Sequence, residues 1–196
     1  MNDESMYPLK GNQTTVFSKG QELRTLRDIL PVTPGLHVLF VAKTPAPRSV
    51  EAGHYFQGRH GTSFWNKLKT NGLLAPTTEF EDDSLLEHGY GLTDIVKVPH
   101  AYREEPSDQE YLDGLPRILE LIRIHQPKVV VFVYKGVLDN IIRLQFESAK
   151  ASVYGFNQYL ESDFGTRVFA FPLPGTPCTT EQASIAMRDL YEFLQE

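Results

Sequence analysis

Four short runs constrain this chain more than any other feature: Val38–Ala42, Gly91–Val96, Val129–Tyr134 and Val168–Leu173. Three are continuously apolar at one end or throughout, and all are too short for a helix. Such runs read as strands buried on both faces, the kind found in parallel sheets. Between them lie stretches with helical spacing. Gln21–Leu30 carries Leu23, Leu26 and Leu30 and stops before Pro31, which predicts a first helix. Thr62 or Ser63 can cap a helix with Phe64, Trp65 and Leu68, ended by Asn71-Gly72. Ser107-Asp108-Gln109-Glu110 is a capping box opening a helix that ends before Pro127, with a kink or restart expected at Pro116. A further helix runs to about Phe146. Thr179 to Gln182 caps the last one, expected to bury Ile185, Leu190 and Leu194.

Strands alternating with helices predict an α/β fold: a three-layer α/β/α domain with a central, mostly parallel sheet of about four strands. Residues 1–20 are polar and aperiodic and read as a flexible arm, leaving 21–196 as a single domain. The acidic stretch 77–87 reads as a solvated turn with a short helix, and 151–165 as a hairpin or an irregular excursion. In open α/β sheets a ligand sits beyond the carboxyl ends of the strands. Lys43–Ser49, Asp94–His100 and Pro172–Thr179 should therefore line one crevice.

Composition removes whole classes of function. One cysteine among 196 residues excludes a disulfide framework and any site needing several thiolates. No apolar run is long enough to span a bilayer, and the acidic, polar start is not a secretory signal, so a cytoplasmic location (nuclear in a eukaryote) is expected. The net charge of −6 weighs against nucleic-acid binding in sum, though distribution matters more than the total. No Walker-type phosphate loop, dinucleotide fingerprint or serine elbow is present. His54 and His60 share a loop without metal-ligand spacing, and Cys178, just before a helix, reads as a half-buried structural thiol.

The remaining pattern resembles a known family. Gly35-Leu36-His37-Val38-Leu39-Phe40-Val41-Ala42-Lys43-Thr44-Pro45-Ala46 is similar to the strand and first catalytic motif of the uracil-DNA glycosylase superfamily, written G-I-N-P-G. Ala52-Gly53-His54-Tyr55-Phe56 and Phe64-Trp65 follow at the family's spacing. Leu85-Leu86, Gly91-Leu92-Thr93-Asp94-Ile95-Val96 and Gln126-Pro127 recur there too. Phe171-Pro172-Leu173-Pro174-Gly175-Thr176-Pro177 falls where the family has its second motif. The resemblance spans about residues 35–195 and points most closely to the mismatch-specific uracil/thymine branch.

That resemblance implies hydrolysis of the N-glycosidic bond of a base flipped out of DNA, as in base excision repair. Phe56 would stack the base, with Tyr55 beside it. Ala42, Lys43 and Ala46 would shape the base pocket through their backbone. Arg48, Arg59, Gly175, Thr176 and Pro177 would meet the DNA. No metal or organic cofactor is implied, and nothing demands more than a monomer. The chain departs from the motif at its centre: Thr44 stands where the family has Asn, and Thr is neither an amide nor a base. Asp94, at the neighbouring strand end, is then the candidate to position the water with Thr44. Lys43 as a nucleophilic amine is a further reading. An alternative keeps the pocket without the hydrolysis, as a catalytically weak or inactive DNA- or nucleotide-binding module.

Overall fold

A computed structural model describes residues 8–146, 150–174 and 176–196. Each of the four runs forms a strand: β3 (Val38–Ala42), β4 (Tyr90–Asp94), β5 (Val129–Phe132) and β7 (Arg167–Ala170). They pair in parallel in the order β4-β3-β5-β7. Every residue of β3, β4 and β5 is buried, as the apolar runs require. A fifth, two-residue strand, β6 (Gly155–Phe156), adds antiparallel to β7 at the edge and resolves the 151–165 stretch as hairpin-like pairing.

Side chains alternate along each strand, so the sheet feeds two cores. On one face Val38, Phe40, Val131 and Phe169 pack with Phe64, Trp65 and Leu68 of α2 (Arg59–Thr70) and Met187 and Leu190 of α6 (Thr180–Gln195). On the other, Leu39, Val41, Val130 and Phe132 pack with Leu115, Ile118 and Ile122 of α3 (Asp108–His125) and Val137, Leu138 and Ile141 of α4 (Lys135–Gln145). This is the three-layer α/β/α architecture. Short helices α1 (Pro47–Ala52) and α5 (Glu161–Phe164) complete it.

The capping boxes form as expected at Ser107/Glu110 and Thr179/Gln182. Four local expectations change. First, α2 begins at Arg59 behind Gly58, because Thr62 and Ser63 bond back to the Gly58 and Arg59 carbonyls instead of capping. Second, α3 runs through Pro116 without restarting. Third, Ile185 stays 43% exposed, and α6 turns Ala186 and Met187 inward with Leu190. Fourth, the acidic stretch holds two 3₁₀ turns, Glu81–Ser84 and Leu86–His88, and it buries Asp82 and Ser84.

The largest correction concerns the beginning of the chain. Residues 1–7 lie outside the described part, but the rest of the expected arm, and the helix expected at Gln21–Leu30, are a hairpin: β1 (Gln13–Ser18) and β2 (Gln21–Leu26). Lys19 and Gly20 both take positive φ (50° and 76°), the turn that matches the twist of paired strands. The hairpin is pinned to the domain. Gln13 Nε2 donates to the Val50 carbonyl at 2.6 Å, Thr25 Oγ1 donates to the Lys97 carbonyl at 2.6 Å, and Ile29 exchanges backbone hydrogen bonds with Leu92. The helical spacing of Leu23, Leu26 and Leu30 is overridden by these ties, which hold Leu26 and Ile29 in the core.

Candidate active site

Strand register places the crevice. Ala42 pairs with Asp94, Val41 with Phe132, and Phe132 with Ala170, so four loops leave the sheet along one edge. Three are the expected ones. The fourth, carrying Tyr134 after β5, lies between β3 and β7 and was not singled out from the sequence. The loops after β3 and β4 are stitched together: Ile95 N–H donates to the Ala42 carbonyl, Val96 N–H to the Lys43 carbonyl, both at 3.0 Å, and Thr44 Oγ1 donates to the Val98 carbonyl at 2.5 Å. Thr44 therefore stands beside the Asp94 loop, and its hydroxyl proton is already committed. Ala46 is exposed ahead of α1, which carries exposed Arg48, and exposed Arg59 opens α2.

Asp94 is 1% exposed, and its Oδ2 has no hydrogen-bond partner among the described residues. Burial pushes its pKa up to about 6; Lys97 pulls it down, Asp28 pushes it up, and the Tyr55 hydroxyl and Arg117 pull it down. Lys97 Nζ lies 3.8 Å from Oδ2 but 2.9 Å from Asp28 Oδ1. Arg117 reaches across from α3 to Asp28 Oδ2 (2.8 Å), Thr93 Oγ1 (3.0 Å) and the Asp94 carbonyl. Tyr134 faces the same carboxylate. Its phenol is pushed up to about 12, by burial first and then by the Asp94 charge.

The aromatic side of the crevice is packed tightly. Phe56 is 9% exposed, with its ring 4.6 Å from Phe64 and 5.5 Å from Trp65. Its φ of +58° is unusual for a bulky residue, and such strain gathers at functional sites. Gly61 makes room for that backbone: a Cβ there would stand 2.2 Å from the Phe56 carbonyl oxygen. Tyr55 is buried. Its hydroxyl donates to the Arg27 carbonyl at 3.0 Å and accepts from Lys97 at 3.2 Å. Burial, then Asp94, holds its pKa well above the usual phenol value.

Not every candidate joins this cluster. Lys43 Nζ pairs with Glu105 at 2.6 Å, which ties up the amine. Gly175 lies outside the described residues. Thr176 bonds back to the Leu173 carbonyl, and exposed Pro177 follows it. Pro172, Thr176, Cys178, Lys67 and Met187 line a cleft of about 330 Å³. That cleft stands over β7, whereas Asp94 ends β4 with β3 and β5 between them. The cleft and the Asp94 carboxylate are therefore separate features of the sheet's carboxyl edge.

His54, Asp82 and Asp83 form the one group of potential metal ligands among the described residues, with ligand atoms within 4.8 Å of one another. Asp82, however, already accepts from His54 Nδ1 (2.9 Å), the Tyr55 N–H (2.8 Å) and Asn12 Nδ2 (3.1 Å). His54 is stacked on Phe80 at 3.6 Å. These contacts make the group a clamp between the hairpin and the crevice rather than an open ligand set. Asp28 and Arg117 were not identified as site groups from sequence, and Lys97 reads there only as a basic residue near the crevice loops. Lys97 and Arg117 are 69 and 89 positions from Asp28 along the chain, and nothing local links them.

An open parallel sheet with an acidic group at the carboxyl edge defines a class of α/β proteins acting on ligands at strand ends. The comparisons place the chain within it. The family model of the Uracil DNA glycosylase superfamily matches residues 31–175, so the chain belongs to that superfamily. A Schizosaccharomyces pombe protein named G/U mismatch-specific uracil DNA glycosylase is 26% identical over 112 residues, 55% of this chain. The match covers 34% of that relative, about a third of its length. No helix among the described residues is long and apolar enough to cross a membrane.

Proposed function

We propose that the chain hydrolyses the N-glycosidic bond of uracil, or of a related deaminated or mismatched base, after that base is flipped out of DNA. One observation carries this reading beyond family membership: at the crevice edge Asp94 presents a buried carboxylate oxygen with no hydrogen-bond partner among the described residues, 3.8 Å from the Lys97 ammonium. A carboxylate with a pKa near 6 is ionised at neutral pH and still basic enough to accept a proton. It orients a water and takes its proton as the oxygen bonds to the sugar C1′. The glycosidic electron pair leaves with the base, and the carboxylate steadies the oxocarbenium-like charge in between. Water is the only nucleophile, so the enzyme is monofunctional and leaves an abasic site. Thr44 supports the water with its hydroxyl lone pairs, Phe56 holds the base, and Arg48 and Arg59 meet phosphates.

A second reading has its own support. Asp94 is 1% exposed and the Thr44 hydroxyl already serves Val98, which suits a pocket that binds DNA or a nucleotide without hydrolysis.

Single-turnover cleavage of labelled G·U, G·T, A·U, hypoxanthine and ethenocytosine duplexes and of single-stranded uracil, each followed by alkali, separates the two. Strand breaks lost in Asp94→Asn support the mechanism. Breaks that persist in Asp94→Asn remove Asp94 as the base. DNA binding without breaks on any substrate establishes the second reading.

A further inference from the structure

Asp28 lies in the segment between β2 and β3, outside residues 31–175 that the family pattern covers. Its carboxylate accepts from Thr93 Oγ1 at 2.6 Å, Lys97 Nζ at 2.9 Å and Arg117 Nη1 at 2.8 Å. Each donor borders Asp94. Thr93 precedes it, Lys97 follows three residues later, and Arg117 also donates to its backbone carbonyl. The backbone bonds between Ile29 and Leu92 fix Asp28 at this strand edge. The Lys97 ammonium is thus 0.9 Å nearer to Asp28 (2.9 Å) than to Asp94 Oδ2 (3.8 Å). An ammonium released from Asp28 would close onto Asp94, because a buried carboxylate oxygen with no hydrogen bond attracts the nearest cation strongly.

We infer that Asp28 is a positioning residue for the proposed hydrolysis: it holds Lys97 and Arg117 to itself and so keeps the Lys97 ammonium beyond hydrogen-bond distance of the second oxygen of Asp94, leaving that oxygen's hydrogen bond for water. The inference rests on the reading of Asp94 given above. It also assigns a role to the amino-terminal hairpin, which delivers Asp28 and the Arg27 carbonyl that receives the Tyr55 hydroxyl.

The groups facing Asp94 come from five places: Asp28 before β3, Tyr55 between α1 and α2, Lys97 after β4, Arg117 on α3 and Tyr134 after β5. Removing the Asp28 charge acts twice in one direction. It deletes a like charge, and it frees a cation to approach.

The test uses the full chain and two readouts. Carbon-13 carboxyl NMR follows the Asp94 titration, assigned by the signal missing in Asp94→Asn. The pH profile of single-turnover cleavage of a G·U duplex follows activity. In Asp28→Asn the Asp94 midpoint should fall by about one pH unit. The acid limb of the rate should move down with it, while the maximal rate drops about tenfold and duplex affinity stays within about twofold. Asp28→Glu, which restores the charge, should return the midpoint. A purely structural role would lower stability without moving either midpoint, so an unmoved midpoint in folded Asp28→Asn overturns the inference. Lys97→Met serves if Asp28→Asn does not fold: the Asp94 midpoint should rise, and an unchanged one overturns the inference equally. A moved midpoint with no cleavage by the wild type upholds the hold of Asp28 on Asp94 and sinks the glycosylase reading. Cleavage with an unmoved midpoint does the reverse.

Discussion

Two carboxylates in this chain are fully buried, and they are treated in opposite ways. Asp82 accepts three hydrogen bonds, from His54, Tyr55 and Asn12. Asp94 keeps one oxygen without a hydrogen bond among the described residues. Burial raises both pKa values against opposing contacts, hydrogen bonds from Tyr55 and His54 at Asp82 and the Lys97 charge first at Asp94, which is pushed up to about 6. A buried charge with both oxygens hydrogen-bonded joins elements together, whereas an oxygen left without a hydrogen bond is a cost the fold sustains for another reason. The difference suits Asp82 to architecture and Asp94 to the proposed chemistry.

The strongest challenge to that contrast is Asp94→Asn. Its single-turnover rate at pH 7.5 should fall by about 10³. Wild-type activity should rise with pH through a midpoint near 6, because the ionised form is the base. Stability should move the other way. The folded pKa of about 6 lies above the unfolded value near 3.8, so the folded state binds its proton more tightly. The wild type therefore loses stability as pH rises from about 4 to 6, by roughly 3 kcal/mol in all. Denaturant unfolding should find Asp94→Asn more stable than wild type at pH 7, with the gain gone at pH 4. A variant that is inactive and also less stable at pH 7 would make Asp94 a structural residue like Asp82.

Asp82→Ala tests the other half. It strands the Tyr55 N–H, the Asn12 amide and His54, all near the hairpin's attachment. Urea unfolding should show a loss of about 3 kcal/mol. The acid limb of activity near pH 6 should stay in place, since Asp82 is not among the charges acting on Asp94. Gly61→Ala is expected to cost about 2 kcal/mol through the clash with the Phe56 carbonyl. It should weaken duplex cleavage through Phe56 without changing the midpoint.

The sheet was legible because apolar runs of four to six residues leave few alternatives to buried parallel strands, and the capping boxes marked two helix starts. The hairpin was not. Leu23, Leu26 and Leu30 offer a helical period, while the β-branched run Thr14-Thr15-Val16 and the Lys19-Gly20 turn are the weaker signals that win once Leu92 and Val50 supply partners. Asp94 could be singled out because it ends a recognisable strand. Asp82 was hidden in a run of acids whose usual fate is solvent, and only its distant donors pull it inside. Asp28 was invisible for the same reason: its partners are 65 to 89 positions away.

Tyr55 touches both carboxylates and gives the finest discrimination. Its backbone N–H donates to Asp82 Oδ2, while its hydroxyl stabilises the Asp94 charge and donates to the Arg27 carbonyl. Tyr55→Phe keeps the first contact and deletes the others. Stability at pH 5 should fall by about 1 kcal/mol, the value of one buried hydrogen bond. The Asp94 pKa should rise, because the Tyr55 hydroxyl that lowers it is gone, so the acid limb moves to higher pH. Activity at pH 6 should then fall more than activity at pH 8. Asp82 has lost nothing, so the hairpin stays docked, and the amide protons of Asn12 and Ile29 should keep their exchange protection. If those protons exchange faster while the acid limb holds still, the phenol ring serves the clamp and the two carboxylates act as one structural unit.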